Sequence, residues 1–283
     1  TTVYVNPLPV VTFDDLAFCL ESSTQAMVNT PHTGIWSSTA TNVATVDAES
    51  GLVTGVGAGT ATISFTDGVT GCTGSAMVEV TPLPDVILGS FADVCTATPP
   101  FELTGGMATG GTGTGTGSYS GDGVSGTTFD PSLAGEGTHT ITYTYTDSNG
   151  CMGIANANIT VHPQAILELT SAEGTDDQKL CGPGAITPIR YYWNGGANQI
   201  NIDGLNLQPS LHASFTNNQG GGQDIVIYGS VSATVNYTIY TGGAVSPCEN
   251  ITVTGTITVN PVPVLEIADN VLCVGETTTV TAS

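Results

Sequence analysis

Seven cysteines carry the clearest chemistry in this 283-residue chain. They are widely spaced, at Cys19, Cys72, Cys95, Cys151, Cys181, Cys248 and Cys273. The sequence contains no CxxC pair, and a structural zinc site needs such closely spaced ligands together with histidine or cysteine partners. The spacing therefore favours disulfides over metal binding, and disulfides indicate an oxidising compartment.

The histidines and carboxylates show no catalytic pattern. There is no HExxH and no GxSxG, the local spacings of metalloprotease helices and nucleophile elbows, and the four histidines are scattered at His32, His139, His162 and His212. The segment 121–126 reads GDGVSG and matches GxGxxG, but its flanks are turn and strand material. A nucleotide loop needs a buried strand before it and a helix after it. We predict a non-catalytic chain without an organic cofactor.

Two pairs of adjacent aspartates are the candidates for a metal. Calcium takes roughly six to eight oxygen ligands, usually from several carboxylates and carbonyls. Each pair supplies only the beginning of such a site, and no DxDxDG loop is present. We expect solvated acids here, and a calcium ion that stiffens a domain joint is the alternative; the residues concerned are Asp14, Asp15, Asp176 and Asp177.

An aromatic cluster beside an arginine is the candidate for ligand binding. The run RYYW places Arg190 next to Tyr191, Tyr192 and Trp193. Exposed aromatic side chains with an arginine grip sugars or peptides well. Alternation along a strand leaves two options, either Tyr192 inward with Tyr191 and Trp193 outward, or the reverse. Arg190, Tyr191 and Trp193 are thus the predicted binding residues, with a core role for at least one aromatic as the competing interpretation.

The elements that must position these residues are short β-strands. Runs of Thr, Val and Ile alternate with polar residues between Gly, Pro, Asn and Asp turns, which is typical of all-β sandwiches. In the phrase GTATISF from Gly59, alternation places Ala61, Ile63 and Phe65 on one buried face. Trp36 is predicted to lie in the same core.

The charge balance excludes several partners. The chain has 2 Lys+Arg against 24 Asp+Glu, a formal net charge of −22. Nucleic-acid binding requires many cations to neutralise phosphates, and an anionic membrane surface would repel this chain. No apolar run approaches the roughly 20 residues of a spanning helix. We therefore predict neither nucleic-acid binding nor membrane insertion.

A proline-containing phrase recurs at the predicted domain boundaries. It begins with an alternating strand and continues through a joint proline at Pro7, Pro82, Pro163 and Pro261. Proline fixes φ and lacks a backbone donor, so such a joint cannot continue a strand ladder. The successive joints are roughly one immunoglobulin-like (Ig-like) sandwich apart. We predict tandem Ig-like domains end to end: repeat 1 (7–81), repeat 2 (82–162) and repeat 3 (163–260, with an insertion), flanked by the last strand of a preceding domain (1–6) and the start of a further, truncated one (261–283).

The repeat register also predicts the disulfide pairing. Each complete repeat has a first cysteine soon after the joint proline and a second cysteine before its last strand. Pairing within each repeat is the simplest connectivity that this register allows. We therefore predict three bridges and leave the partner of Cys273 beyond Ser283; the predicted pairs are Cys19–Cys72, Cys95–Cys151 and Cys181–Cys248.

Two stretches carry a resemblance to known bacterial repeats. The run WSSTATNVATVDAESGLVTGVGAGTATIS, residues 36–64, resembles the bacterial Ig-like domain of group 2, which occurs in surface adhesins. The run from Tyr119 to Cys151 resembles repeats of giant Bacteroidetes surface proteins, such as gliding-motility adhesins of the SprB kind and other cargo of type IX secretion. This resemblance implies an extracellular, non-catalytic β-sandwich stalk at the cell surface.

The sequence as a whole thus predicts a stalk or filament segment of an extracellular repeat adhesin. Its expected partners are surface glycans or other surface polymers, or neighbouring copies of itself. One alternative is a carbohydrate-binding accessory module of a secreted hydrolase, in which repeat 3 reads the sugar. Another is the subunit of a self-assembling extracellular fibre.

Overall fold

The structure is a computed structural model that describes residues 5–217, 222–264, 274 and 277. Most of the predicted truncated domain, Cys273 and part of the predicted first strand lie outside the described residues. Nearly all regular structure is β-strand, and the strands fall into three groups along the chain. The all-β, tandem Ig-like architecture predicted from the sequence is confirmed.

The first group of strands forms two four-stranded sheets. Their orders are β1-β3-β6-β5 and β2-β8-β7-β4. Every second residue of β7 points into the core between the sheets, so Ala61, Ile63 and Phe65 are buried. The ring centroids of Trp36 and Phe65 are 4.9 Å apart. The strands are β1 (Val11–Phe13), β2 (Ala17–Cys19), β3 (Ser23–Val28), β4 (Gly34–Ser38), β5 (Ala44–Val46), β6 (Leu52–Gly55), β7 (Gly59–Asp67) and β8 (Thr73–Thr81).

The second group has one four-stranded sheet and two small sheets. The sheet β10-β17-β16-β13 faces the small sheets β11-β15-β14 and β12-β9. Phe129, Ile141 and Ile159 are almost fully buried. Asp130 caps the one-turn helix α1 (Pro131–Ala134) by accepting from the Ser132 amide. The strands are β9 (Pro84–Leu88), β10 (Val94–Cys95), β11 (Phe101–Glu102), β12 (Gly106–Gly110), β13 (Thr116–Ser120), β14 (Val124–Ser125), β15 (Thr128–Phe129), β16 (Gly137–Thr146) and β17 (Met152–His162).

The third group has the largest core. The order β18-β21-β24-β20 forms one sheet, with β23 added on β24, and β19-β26-β25-β22 forms the other. Tyr191, Tyr237, Ile225 and Ile239 are buried between them. A single 3₁₀ turn covers Leu205–Leu207. The strands are β18 (Ile166–Leu169), β19 (Asp177–Cys181), β20 (Gly184–Ala185), β21 (Ile189–Asn194), β22 (Gln199–Asp203), β23 (Leu211–Asn217), β24 (Gln223–Val231), β25 (Val235–Gly242) and β26 (Thr252–Asn260).

The insertion of repeat 3 lengthens a hairpin that the other repeats also have: β23 pairs with β24 over seven residues, whereas β5 pairs with β6 over three and β14 with β15 over two. The segment that follows Trp193 forms β22 and β23, and β23 pairs antiparallel with β24 from Leu211 to Asn217. Leu211 is buried, so this hairpin shares the core of the sandwich. The residues between the two strands, 218–221, lie outside the described part of the chain.

The chain separates into two compact units. Unit 1 comprises residues 1–92 and 98–160, and unit 2 comprises residues 93–97 and 161–283. The short segment that contains Cys95 thus belongs to unit 2, although its sequence lies within predicted repeat 2. Only the boundary at residues 160–161 falls near a joint proline, Pro163, and repeat 1 shares unit 1 with most of repeat 2, so the proline boundaries stay a prediction.

Candidate functional site: the disulfide-closed joints

The first cysteine of every repeat occupies the same place in the fold. It ends a short strand that pairs parallel with the last strand of its repeat. Cys19 is in register with Thr81, Cys95 with His162 and Cys181 with Asn260. The residue that follows each of these partners is a joint proline. Each first cysteine therefore lies at the end of its repeat where the next one begins.

The second cysteine lies at the opposite end of the last strand. Cys72 directly precedes β8 and Cys151 directly precedes β17, whereas Cys248 precedes β26 by four residues. A strand rises about 3.3 Å per residue, so Cys72 is about 30 Å from Thr81 and from its neighbour Cys19. A disulfide needs Cα atoms within about 7 Å. The three pairings predicted within repeats, Cys19–Cys72, Cys95–Cys151 and Cys181–Cys248, are therefore wrong.

The observed disulfides instead join consecutive repeats. Cys19 of repeat 1 is bonded to Cys151 of repeat 2, and both residues belong to unit 1. Cys95 of repeat 2 is bonded to Cys248 of repeat 3, and both residues belong to unit 2. The Cα–Cα distance is 5.5 Å in each bridge. The first cysteine of one repeat thus pairs with the second cysteine of the following repeat, while Cys72 and Cys181 keep free thiols.

A buried aspartate shapes the turn before the second cysteine in repeats 1 and 2. Asp147 accepts hydrogen bonds from the amides of Thr112, Asn149 and Cys151, each at 2.9 Å. In repeat 1, Asp67 accepts from the amides of Val69 and Thr70 at 2.8 and 2.9 Å. The peptide N–H groups therefore hold the cysteine loop in one conformation by binding a carboxylate.

These hydrogen bonds also determine how the two aspartates titrate. The Thr70 amide is the main group that lowers the pKa of Asp67, against the effect of burial. Burial raises the pKa of Asp147, but the Thr112 and Cys151 amides outweigh it, and the pKa stays below its usual range. Both turns therefore favour the carboxylate over the acid. The sequence signal was a TD dipeptide whose aspartate lies four or five residues before the cysteine, and the sequence analysis missed it.

A glycine after each turn lets the joint pass close to the last strand. A Cβ on Gly74 would overlap the Pro9 carbonyl oxygen, and a Cβ on Gly153 would overlap that of Pro84. Both glycines come two residues after the second cysteine, in the phrase C-x-G. Any larger residue would push the joint away from the strand. The C-x-G phrase is a second signal that the sequence carried for the joint.

Polar contacts surround both bridges. The Thr81 hydroxyl is buried, lies 3.1 Å from the Cys151 sulfur and donates to the Phe18 carbonyl at 3.2 Å. In unit 2, the Gln164 amide donates to the Thr96 hydroxyl at 3.1 Å. The Gln164 side chain donates to the Glu249 carbonyl at 3.0 Å. Each disulfide is thus accompanied by hydrogen bonds that hold the joint between the two repeats.

The predicted aromatic cluster is largely part of the core. Tyr191 is 2% exposed, and its hydroxyl lies 3.0 Å from the hydroxyl of buried Tyr237. Trp193 packs against the same core, and its indole N–H is buried without a partner. Of the three predicted binding residues, Arg190 is exposed and Tyr191 and Trp193 are not available as an exposed cluster. The prediction is wrong for Tyr191, which shares the inward face of β21 with Ile189; Trp193 lies on the same face but is only half-buried, and its role in binding stays a prediction.

The aspartate pairs lie near the starts of their repeats but do not converge on a site. Asp14 and Asp15 are exposed in the bend after β1, and Asp177 is exposed at the start of β19. The Asp176 carbonyl accepts from the Thr256 amide at 2.8 Å. Within the described ranges, no group of three or more His, Cys, Asp or Glu side chains is arranged to hold a metal ion.

Three histidines lie beside carboxylates. His32 Nδ1 lies 2.8 Å from an Asp67 oxygen, and His162 Nε2 lies 3.1 Å from an Asp93 oxygen. His139 lies 3.6 Å from Asp122. The Asp67 oxygen that faces His32 also accepts from the Thr30 hydroxyl at 2.8 Å. Since this carboxylate already holds the Cys72 turn, the pair acts as a structural anchor.

The glycine-rich stretches form turns. Gly123 and Gly126 of the GxGxxG match have φ of 73° and 63°, which side chains with a Cβ rarely adopt. They flank the two-residue strand β14, which pairs with β15. This hairpin agrees with the turn and strand material that flanks the match in the sequence. In the described part of the chain, no helix is long and apolar enough to cross a membrane.

Comparisons with known proteins agree with this architecture. Residues 3–79 match the family model of the bacterial Ig-like domain (group 2). A search of curated proteins found no match.

Several solved structures resemble the chain at low identity. They include Drosophila N-cadherin EC1-4 (11% identity, 89% of this chain and 76% of that one, TM-score 0.35). A three-Ig titin segment, an E-to-A mutated variant, has 12% identity over 90% of this chain and 100% of that one, with a TM-score of 0.39. The N-terminal eight Ig domains of the Down Syndrome Cell Adhesion Molecule have 12% identity over 92% of this chain and 38% of that one, with a TM-score of 0.37.

Ig-like repeats of this kind are typical of adhesion and extracellular proteins and are typically non-catalytic. The two disulfides fit an extracellular or secreted location. The sheets and the family match together identify the chain as a tandem array of Ig-like β-sandwich repeats, the first of which is similar to the bacterial Ig-like domain of group 2.

Proposed function

We propose that this chain is a non-catalytic stalk segment of an extracellular repeat adhesin, which spaces and presents an adhesive surface at the cell surface. The observation that carries the proposal is the pairing of cysteines between consecutive repeats. A bridge within one repeat would stabilise only that repeat. A bridge from one repeat to the next gives the joint a second covalent connection besides the peptide bond.

This connectivity limits how far the chain can be extended by force. With both bridges closed, the shortest covalent path runs from residue 1 to Cys19, from Cys151 back to Cys95, and from Cys248 to residue 283. At roughly 3.4 Å per residue, that path is about 37 nm long when fully extended, against about 96 nm for the reduced chain. A stalk that transmits load benefits from this limit because unfolded repeats cannot lengthen it freely.

The surface chemistry supports an exposed, extracellular setting. The chain carries 24 acidic residues against 2 basic ones, so like charges keep neighbouring molecules apart. Disulfides persist outside the reducing cytosol. The resemblance to repeats of giant Bacteroidetes surface proteins supports the finer assignment to a gliding-motility adhesin exported by type IX secretion. Surface glycans or other surface polymers are the proposed partners.

Single-molecule stretching tests the mechanical role. The chain is held by its two termini and unfolded first under oxidising and then under reducing conditions. We expect the fully unfolded contour to grow by about 60 nm on reduction, from the path lengths above. A matched control, Cys72→Ser, removes a free thiol and should show the same growth. An oxidised contour equal to the reduced one would contradict the proposal.

The carbohydrate-module alternative receives less support from the contacts. It relied on Tyr191 and Trp193 at the surface, but Tyr191 belongs to the core of repeat 3 and Trp193 is half-buried against that core. Glycan-array binding that is lost on Arg190→Ala but kept in a cysteine variant would favour this alternative over the stalk.

A further inference from the structure

The two free thiols occupy the same positions as the bonded cysteines. Cys181 is exposed and in register with Asn260, just as Cys19 and Cys95 are in register with the residues before Pro82 and Pro163. Cys72 follows a turn in which the Asp67 amide donates to the Cys72 carbonyl at 3.0 Å. The Asp147 amide makes the same hydrogen bond to the Cys151 carbonyl, also at 3.0 Å. Each free thiol is therefore presented by the backbone geometry that presents a bridged one.

An independent observation comes from the joint residues. At the joint between repeats 1 and 2, Pro82 and Leu83 are half-buried. Their counterparts at the start of repeat 1, Pro7 and Leu8, are exposed, and Leu8 is 68% exposed. The same two joint positions are therefore partly covered at one joint and exposed at the other. The apolar joint residues at the start of repeat 1 are thus exposed, whereas their counterparts at the next joint are half-buried.

The end of repeat 3 shows the same contrast. In the phrase ITVHPQA, Gln164 is half-buried and Ala165 is 1% exposed. In the corresponding phrase ITVNPVP, Val262 is 60% exposed and Pro263 is exposed. The apolar joint residues beside Cys181 are therefore uncovered as well.

A small cavity lies between the joint residues at the start of repeat 1 and the Cys72 turn. It has a volume of about 160 Å³ and is lined by Pro7, Leu8 and Pro9 of the joint together with His32, Asp67 and Thr70 of the cysteine turn. Its lining is both apolar and polar, and it adjoins the turn that presents Cys72.

We infer that Cys72 and Cys181 each supply one half of a further bridge of this kind, and that each docks another Ig-like repeat of the same type. Cys181 pairs with the second cysteine of the repeat that follows, and Cys72 pairs with the first cysteine of the repeat that precedes. Two thiols lose two electrons and two protons to form the bond, and an oxidised small-molecule disulfide accepts them as it becomes two thiols. The inference rests on the proposed function, because it extends the same joint.

A two-copy chain tests this docking directly. Residues 1–260 are followed by residues 7–283, so that Asn260 precedes Pro7 as Thr81 precedes Pro82, and Cys273→Ser removes the remaining cysteine. After folding in a glutathione redox buffer, non-reducing peptide mapping should find a Cys181–Cys72 link absent from the single chain. Alkylation should label two thiols, Cys72 of the first copy and Cys181 of the second.

The control and the contrary outcomes separate the two proposals. Cys181→Ser in the first copy should leave Cys72 of the second copy open to alkylation while the other bridges stay closed. If the Cys19–Cys151 and Cys95–Cys248 bridges form in both copies but four thiols are labelled, the inference is wrong and the stalk proposal stands. If the Cys19–Cys151 and Cys95–Cys248 bridges are missing from both the two-copy chain and the single chain, the stalk proposal and the inference both fail.

Discussion

The bridge between repeats 1 and 2 makes a sharp prediction about stability. We consider the double substitution Cys19→Ser/Cys151→Ser, which removes the bridge without leaving a reactive thiol from it. The two cysteines are 132 residues apart. In the chain-entropy model, a cross-link over a loop of that length lowers the free energy of the folded state relative to the unfolded state by at most about 5 kcal/mol.

Guanidinium unfolding under non-reducing conditions measures this loss. We expect the transition of unit 1 to shift to lower denaturant, with a loss of about 3–5 kcal/mol in its free energy of unfolding. The matched control is Cys72→Ser, which removes a half-buried free thiol and should change that free energy by less than about 1 kcal/mol. The two variants therefore differ several-fold in their expected effect.

The contrast between the variants also tests the connectivity. A Cys19–Cys72 bridge, as the repeat register alone suggests, would make Cys72→Ser as destabilising as the loss of Cys19. Equal losses in the two variants would refute the reasoning from strand register. So would an unchanged transition in the double variant, because a closed loop of this length cannot be free of consequence in the unfolded state.

Three further predictions concern buried polar groups and the aromatic strand. Tyr191→Phe leaves the buried Tyr237 hydroxyl without its partner and should lower the free energy of unfolding of unit 2 by about 1–2 kcal/mol. The double variant Tyr191→Phe/Tyr237→Phe should recover part of this lost free energy, and a double-mutant cycle measures both effects. Asp147→Asn removes a carboxylate whose pKa is lowered in the folded state, so the stability that this carboxylate contributes is present above the usual aspartate pKa and is lost as the pH falls below about 4. In the variant, the free energy of unfolding of unit 1 should therefore depend less steeply on pH in the acid range. An unchanged acid dependence would contradict this. Trp193→Ala should destabilise unit 2 by about 2–3 kcal/mol in urea, while Arg190→Ala changes the same transition by less than about 0.5 kcal/mol; equal effects would show that Trp193 is not part of the core.

The strand pattern could be predicted because it depends on neighbours in sequence. In β7, every second residue from Ala61 is apolar, and a pleated strand sends those side chains to one face whatever the partner strands are. The same local logic identified Trp36 as a core residue, and it is 6% exposed. For β21 the alternation left two faces open, because Tyr191, Tyr192 and Trp193 are all apolar enough to be buried.

The sequence by itself determined the all-β class, the repeat phrases and the placement of two cysteines in each complete repeat, because these follow from alternation, proline chemistry and counting. Only the tertiary structure decided which cysteines meet. The short strand that ends at Cys19 pairs parallel with β8, so Cys19 lies beside the end of β8 and Cys72 beside its start. The sequence gives the number of residues between two cysteines. It does not give the direction in which the intervening strands run. The strand directions place the first cysteine of one repeat against the second cysteine of the next.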